Sequence, residues 1–208
     1  MAKDTRGLVI VISGPSGVGK GSVNKLLIDR CENLEVAVSA TTRKIRENEV
    51  DGRDYYFISK EEFEKKITDN DFVEYALVHG NMYGTLISEV NRRIEEGTNV
   101  ILEIDVQGGR SVKNKFPKCV SIFILPPNMK ELAVRLNGRA TDDDETIKLR
   151  LDTAESEIKC VYDYDYAVVN ENLNDCVSKI KNIIISEKSR VKRQDEIIKK
   201  LLNGGTIL

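Results

Sequence analysis

The segment from residue 14 to residue 20, Gly-Pro-Ser-Gly-Val-Gly-Lys, constrains this chain more than any other stretch. The run before it, residues 8–12, is apolar and mostly β-branched, and Val23, Leu26 and Leu27 follow at helical spacing. The pattern predicts a buried strand, a glycine-rich turn and a helix. Glycines let a backbone wrap closely around a ligand, and the N–H groups of such a turn, with the helix N-terminus, bind an anion.

The spacing of this segment matches a Walker A motif in the strand-to-helix context that the motif requires. Lys20 can then reach the β- and γ-phosphates of a nucleotide. Gly21 stands where a hydroxyl residue is usual, so either Ser22 or water makes the metal or phosphate contact. The predicted ATP-binding residues here are Gly14, Pro15, Ser16, Gly17, Val18, Gly19, Lys20, Gly21 and Ser22.

Length and composition are typical of one domain with a sizeable core, because the chain has 208 residues of which 40% are hydrophobic. The net charge of −2 argues against general binding to nucleic acid or to anionic membranes. No apolar leader and no long apolar run are present, which predicts a cytoplasmic protein. The cysteines lack metal-ligand spacing, which favours reduced structural thiols.

Strands alternate with helices along most of the chain, which predicts an α/β fold with a parallel sheet flanked by helices. Core strands are expected over residues 99–105, 119–125 and 166–169. An inserted segment, residues 39–86, interrupts this alternation and is expected to form its own small mixed sheet. Ligands of parallel sheets bind at the carboxyl ends of the strands, where the glycine-rich loop, Glu103, Asp105 and Asn170 are expected.

The inserted segment carries candidate groups for binding a second phosphate. Arg43 and Arg46, together with Tyr55 and Tyr83, supply donors suited to that task. The alternative is a solvated charged loop, which is where most arginines lie.

Glu74 lies within an otherwise apolar predicted strand, where an inward carboxylate needs a partner. The N1–H and N2–H₂ groups of guanine are adjacent donors that one carboxylate can accept, whereas adenine presents an acceptor at N1. Ser39 and Thr85 could donate to guanine O6. The alternative is an edge strand from which Glu74 points to solvent.

Two further charged groups have candidate roles in catalysis. Glu103 and Asp105, at a strand end near the Walker loop, could hold Mg²⁺ directly or through water. Arg135, Arg139 and Arg150 flank a polar segment and could close over phosphates in the transition state, the alternative being ordinary helix-surface arginines. His79, the only histidine, has no assigned role.

Taken together, these motifs resemble the guanylate kinase family over about Gly7 to Ser186. The most specific is Ser39 to Tyr55, which is similar to the family pattern S-x-T-T-R-x-x-R-x-x-E-x-x-G-x-D-Y. The other matching stretches are residues 14–20, 80–85, 102–108 and 135–139.

The resemblance implies Mg²⁺-dependent transfer of the ATP γ-phosphate to GMP, with dGMP left open as a second acceptor. It implies a P-loop NTPase-like fold with a core (1–38, 87–128 and 158–208), a mobile GMP-binding region (39–86) and a helical lid (129–157). ATP and GMP are the expected partners, without nucleic acid or membrane, and the oligomeric state is a monomer or a homodimer.

The family's functional positions fall on particular residues here. Lys20, Arg46, Arg139 and Arg150 are the implied catalytic residues, and Arg135 and Asn170 the implied contacts near the adenine. Ser22 and Asp105 are the candidate metal ligands. The GMP-binding residues are Ser39, Arg43, Arg46, Glu49, Tyr55, Glu74, Tyr83, Thr85, Glu103 and Asp105.

Two other functions compete with this interpretation. A catalytically silent guanylate-kinase-like binding module would have a degraded phosphate loop, whereas Gly14, Gly19 and Lys20 are intact. A kinase acting on another nucleoside monophosphate is disfavoured by Glu74 and by the sequence Thr41-Thr42-Arg43.

Overall fold

The computed structural model describes residues 6–78, 80–137 and 144–206, and the side chains of residues 107, 110, 137 and 144–150 lie outside that description. The strands are β1 (Val9–Ser13), β2 (Leu34–Val36), β3 (Ser39–Thr41), β4 (Tyr56–Phe57), β5 (Phe72–Val78), β6 (Asn81–Leu86), β7 (Asn99–Glu103), β8 (Val120–Leu125) and β9 (Tyr166–Val169). The α-helices are α1 (Lys20–Arg30), α2 (Lys60–Thr68), α3 (Ile87–Glu95), α4 (Val106–Lys115), α5 (Met129–Asn137), α6 (Asp144–Ile158), α7 (Leu173–Lys188) and α8 (Asp195–Leu202). Two 3₁₀ turns cover Lys159–Asp163 and Val191–Arg193.

The main sheet has five parallel strands in the order β2-β7-β1-β8-β9, which confirms the predicted α/β architecture. Its central strand, β1, is buried along its whole length because helices cover both faces. Ile10 and Ile12 pack on one side with α1 and α7, while Val9 and Val11 pack on the other with β7 and α3. This alternation explains why a continuous apolar run forms the strand before the loop.

The parallel order brings separate parts of the chain to one edge of the main sheet. The carboxyl ends of β1, β7 and β9 are followed by Gly14, Ile104 and Asn170. The hydroxyl of Ser13 donates to the carbonyl oxygen of Ile104 at 2.9 Å, which joins the ends of two neighbouring strands. The expected ligand-binding edge is therefore assembled from residues far apart in sequence.

The second sheet lies within residues 39–86 and has the order β4-β3-β6-β5. It is mixed, because β3 pairs in parallel with β4 and antiparallel with β6. Phe63 of α2 stacks on Phe72 of β5 at 4.3 Å between ring centroids, and both side chains are buried. Ser59 caps α2, as expected, by accepting a hydrogen bond from the Glu62 N–H at 3.1 Å.

Several element boundaries differ from those that local sequence patterns predict. Residues 81–85 are expected to form a turn because of their asparagine and glycine, but they form most of β6, which pairs with both β3 and β5. Residues 36–39 are expected to form one strand, yet β2 belongs to the main sheet and β3 to the second. Pairing with distant strands overrides local propensity in both places. Local patterns predict helices that start near Gly109 and at Ile147, whereas α4 and α6 begin at Val106 and Asp144.

A buried carboxylate connects the second sheet to the helix that follows it. Glu89 of α3 accepts hydrogen bonds from the Tyr56 hydroxyl at 2.9 Å and from Arg92 at 3.0 Å, and it also contacts Arg93. Arg93 is paired in turn with Glu35 of β2. A buried charge requires such partners, so this network ties β4 to the main sheet.

The C-terminal segment is attached through Glu187 of α7, which is buried. Its carboxylate accepts from the Tyr166 hydroxyl at 2.6 Å and from Arg190 and Arg193 at 3.0 Å each. Beyond Glu187 the chain forms α8, in which Leu202 is 80% exposed. Within the described ranges, no helix combines the length and the apolar character needed to cross a membrane.

Candidate active site

The glycine-rich loop runs from the end of β1 at Ser13 to the start of α1 at Lys20. Gly14 lies so close to β8 that a Cβ there would meet the carbonyl oxygen of Ile124 at 2.4 Å. Gly17 has a φ of +82°, and a Cβ there would lie 2.8 Å from a methyl group of Leu136. Both positions therefore require glycine, which accounts for the spacing of the motif.

Lys20, the first residue of α1, folds back over this loop. Its Nζ donates a hydrogen bond to the carbonyl oxygen of Gly14 at 2.5 Å. The ammonium group thus lies across the mouth of the turn, beside the N-terminus of α1. A cation, loop amides and a helix N-terminus at one place form a site suited to phosphate groups.

Asn170, which follows β9, braces the loop from the side. It is buried, and its side-chain amide donates to the carbonyl oxygen of Val18 at 2.8 Å. A Cβ at Gly19 would lie 2.8 Å from the same amide nitrogen. Asn170 therefore holds the loop in place.

Replacing Asn170 with alanine is expected to lower the melting temperature by about 2–10 °C, because a buried carbonyl left without its donor costs roughly 1–3 kcal/mol. The KM for ATP, the predicted ligand of the loop, should rise because the loop loses its hydrogen bond from Asn170. Thermal unfolding and steady-state kinetics measure the two effects. Asn182→Ala, at an exposed position on α7, is the matched control. An Asn170→Ala protein with an unchanged melting temperature would contradict this structural role.

Two carboxylates lie at the end of β7, next to the loop. Glu103 accepts a hydrogen bond from the Asn24 side-chain amide of α1 at 2.7 Å. Asp105 caps α4 by accepting from the Gly108 N–H at 2.9 Å. Among the described residues, no three histidines, cysteines or acidic residues cluster closely enough to hold a metal by themselves. A sparse donor set fits Mg²⁺, which usually takes one or two carboxylates and completes its shell with substrate phosphates and water.

A second polar cluster lies where β5, β6 and β3 meet. Thr85 pairs with Ser39 on one side and with Glu74 on the other. Its hydroxyl donates to a Glu74 carboxylate oxygen at 3.0 Å and lies 3.4 Å from the Ser39 hydroxyl. The pairing of three strands thus places the three predicted base-binding side chains together.

Glu74 is partly buried even though β5 is an edge strand of its sheet. Burial raises the pKa of its carboxyl group, and the negative charge of Asp105 raises it further, while the hydrogen bond from Thr85 opposes the rise. A desolvated carboxylate next to another acid is stabilised by additional hydrogen-bond donors. The cluster is therefore suited to a ligand edge that presents N–H groups.

Arg43 forms the centre of the predicted second phosphate site. Its guanidinium donates to both oxygens of Glu49, at 2.7 and 3.0 Å, and lies 5.5 Å from the centre of the Tyr55 ring. The Tyr83 ring is 5.8 Å from that of Tyr55. The arginine holds the pKa of Glu49 below its ordinary value, and Glu49 raises the pKa of Arg43. Arg46 is exposed, and its backbone N–H donates to Glu49 at 2.9 Å.

Comparison with known proteins assigns the chain to a family. The model of the guanylate kinase family matches residues 6–187. The chain belongs to the guanylate kinase family. This membership confirms the resemblance on which the site residues were assigned from sequence.

Individual guanylate kinases are similar over nearly the whole chain. One from Clostridium perfringens is 50% identical over 194 residues, covering 93% of this chain and 90% of that protein. One from Caldanaerobacter subterraneus is 46% identical over 201 residues, covering 97% and 98%. The crystal structure of guanylate kinase from Anaplasma phagocytophilum is 34% identical with a TM-score of 0.68, covering 90% of this chain and 89% of that one.

The arginines assigned to the lid by the guanylate kinase resemblance are only partly described. Arg135 lies on α5 and is partly buried. Arg139 lies outside the described residues, and Arg150 is a position of α6 whose side chain is outside the description. The two residues after Lys20 are open to solvent. Ser22 is exposed on the first turn of α1. A Cβ at Gly21 would meet nothing within 4 Å, so packing does not require glycine at that position.

Two polar residues near the glycine-rich loop were not identified from the sequence. Asn24, which contacts Glu103, occupies one of several polar positions of α1. Glu157 lies near the end of α6, a helix rich in charged residues. No local signal distinguishes either from surface residues, because their burial depends on packing between distant elements.

Proposed function

We propose that the chain transfers the γ-phosphate of ATP to GMP, giving ADP and GDP. The observation that carries this proposal is the position of Asp105. Its charge raises the pKa of Glu74 in the base-binding cluster and also that of Glu157 beside the phosphate loop. A Cβ at Gly108 would lie 3.5 Å from Oδ1 of Asp105 and 3.7 Å from the Cβ of Glu74, so Asp105, at the end of β7, lies beside the base-binding cluster.

On the acceptor side, the Glu74 carboxylate accepts N1–H and N2–H₂ of guanine, and Ser39 and Thr85 donate to O6. Arg43, Tyr55 and Tyr83 bind the phosphate of GMP. Glu49 holds the Arg43 guanidinium in a fixed orientation, which reduces the entropy lost on binding. Arg46, Glu103 and Asp105 complete the acceptor site.

On the donor side, the loop from Gly14 to Ser22 binds the phosphates of ATP, and Arg135 and Asn170 lie near the adenine. Lys20 neutralises the β- and γ-phosphates. Arg46, Arg139 and Arg150 stabilise the charge that spreads over the transferring phosphoryl group. The reaction needs positioning and charge rather than a strong base, so His79 has no role.

Mg²⁺ is the proposed cofactor, held by Asp105 and Ser22 directly or through water. The ion, when bound, neutralises charge on the bridging phosphate oxygens. Asp105 also orients the start of α4 through its contact with Gly108. Of the two proposed ligands, Asp105 lies at the carboxyl edge of the main sheet and Ser22 on the first turn of α1.

The division into parts is also a proposal. Residues 39–86 form the GMP-binding region, residues 129–157 the lid, and residues 1–38, 87–128 and 158–208 the core. Closure of the two smaller parts excludes water, which would otherwise accept the phosphoryl group. A cytoplasmic monomer or homodimer is expected, and dGMP remains a candidate second acceptor.

An ADP-release assay with ATP and Mg²⁺ tests the function, comparing GMP with AMP, CMP and UMP as acceptors. Turnover with GMP well above that with the other three is expected. Faster turnover with AMP would assign the chain to another monophosphate specificity. A folded protein that binds GMP but turns over none of the acceptors would instead be a silent binding module.

A further inference from the structure

Asn24 of α1 is buried, yet half of its side-chain amide has no partner. The residue is 3% exposed, and its Nδ2 donates a hydrogen bond to Oε2 of Glu103 at 2.7 Å. Its Oδ1 is buried, and no donor among the described residues makes a hydrogen bond to it. A buried acceptor without a donor destabilises the folded state. Stability alone therefore does not account for an amide at this position.

The orientation of this amide is fixed by Glu103. A carboxylate oxygen is only an acceptor, so the amide nitrogen of Asn24 has to face it and the amide oxygen has to face away. Inverting the amide would instead set Oδ1 against the carboxylate, with two acceptors in contact. The unpaired Oδ1 is therefore the consequence of holding the Glu103 carboxylate.

Both residues lie at the edge of the main sheet where the two proposed substrates meet. Glu103 ends β7, is exposed and pairs with Ile12, two residues before the glycine-rich loop. Asn24 lies one helical turn after Lys20, and helix side chains lean toward the N-terminus of their helix, which here is the loop. An exposed glutamate has several accessible rotamers, whereas a buried amide is held by packing. The hydrogen bond therefore restricts the rotamers of Glu103.

We propose that Asn24 is a positioning residue for the phosphoryl acceptor, because it holds the Glu103 carboxylate in the orientation that accepts hydrogen bonds from GMP. Ordering a side chain on binding costs affinity, and a carboxylate that is ordered beforehand avoids that cost. Asn24 and Glu103 both belong to the proposed core, so residues 39–86 close against a carboxylate that is already oriented. This inference rests on the proposed function, which assigns Glu103 to the acceptor site.

Equilibrium binding of GMP to the full chain, measured by calorimetry, tests the proposal. Asn24→Ala removes the donor, and we expect the Kd for GMP to rise about five-fold, which corresponds to about 1 kcal/mol. The Kd for ATP with Mg²⁺ should stay within about two-fold. Asn24→Leu keeps the branched shape without the donor and should weaken GMP binding in the same way.

Asn99, at the opposite end of β7, gives the matched control. It is also 3% exposed, but its Oδ1 accepts from the Leu8 N–H at 3.1 Å and its Nδ2 donates to the Asn33 carbonyl oxygen at 2.8 Å. Asn99→Ala is expected to lower the melting temperature by about 2–10 °C, because a buried N–H loses its acceptor, and to leave the Kd for GMP within about two-fold. Asn24→Ala should lower the melting temperature less, because the unpaired Oδ1 is removed and the exposed Glu103 can be hydrated.

A double-mutant cycle separates positioning from packing. Glu103→Ala should itself raise the Kd for GMP, because it removes the carboxylate. In that background Asn24→Ala should change the Kd for GMP by no more than about two-fold, since nothing remains to be positioned. A purely structural Asn24 would instead weaken GMP binding equally in both backgrounds.

Three results would overturn the proposal. They are an unchanged Kd for GMP in both Asn24 variants, an equal weakening of ATP and GMP binding, which would indicate a disturbed α1, and an undiminished effect of Asn24→Ala in the Glu103→Ala background. These measurements need no phosphoryl transfer. A failed acceptor assay with intact GMP binding would therefore contradict the proposed function alone, whereas full GMP affinity in a catalytically active Asn24→Ala protein would contradict this inference alone.

Discussion

Replacing Lys20 with alanine is expected to reduce kcat by about 10²–10³-fold, the scale found when one preorganised charge donor is removed from a transition state. Lys20 is the cation of the loop, and it lies across the turn within 2.5 Å of the Gly14 carbonyl. Its loss leaves the β- and γ-phosphates without their nearest positive charge as the transferring group separates. The KM for ATP should also rise.

Steady-state kinetics with saturating GMP measures this change. Lys25→Ala, at an exposed position later in α1, removes a lysine without removing a phosphate contact and should leave kcat within two-fold, as is usual for surface substitutions. A melting temperature near that of the parent protein shows that the loop still folds. A Lys20→Ala protein with more than half of the parent kcat would contradict the assignment of this loop as the ATP-binding site.

Replacing Glu74 with glutamine is expected to lower kcat/KM for GMP by about 10⁴-fold, because a site built to hydrogen-bond its substrate is left mismatched when one partner changes. The glutamine amide would set an N–H₂ group against the N–H donors of guanine. Kinetics with GMP and AMP measures the loss of preference. Glu64→Gln, at an exposed position of α2 in the same region, is the control. An unchanged preference for GMP would contradict the role of Glu74.

The pH dependence of GMP binding gives a second measure of the same group. Only the ionised carboxylate accepts two donors, and the pKa of Glu74 is raised. The KM for GMP should therefore increase as the pH falls, beginning above the range in which an ordinary glutamate titrates. Glu74→Gln should abolish this dependence.

The effect of Glu74 on stability has the opposite sign to that of a paired carboxylate. A carboxyl group whose folded pKa is raised makes the folded state less stable as the pH rises through that pKa. We therefore expect the melting temperature of the Glu74→Gln protein at neutral pH to equal or exceed that of the parent protein. Lost GMP activity in a protein of equal or higher stability cannot be attributed to unfolding.

Much of the donor site could be predicted from the sequence. The loop needs glycine where Gly14 approaches β8 and where Gly17 has a positive φ, so the motif reflects local backbone requirements. The buried run before it and the helix after it follow from hydrophobic periodicity. The order of strands and helices then predicted which strand ends meet at the loop.

The convergence of Ser39, Glu74 and Thr85 depends on strand pairing that the sequence does not show. Residues 81–85 contain turn-forming residues, yet β6 pairs on both sides, and this places Thr85 between Ser39 and Glu74. A shift of one residue in either pairing would have turned these side chains to opposite faces. The residue types were predictable, whereas their convergence was not.

The sequence by itself determined the phosphate loop, the parallel sheet and the residue types of the two binding sites, because these depend on local backbone geometry and periodicity. Only the tertiary structure decided which polar groups are buried and what faces them. Asn170 came to hold the loop through its hydrogen bond to Val18, and Glu74 was brought next to Asp105, whose charge raises its pKa. Burial and electrostatic environment arise from packing between elements distant in the chain, so a single residue's neighbours in sequence cannot specify them.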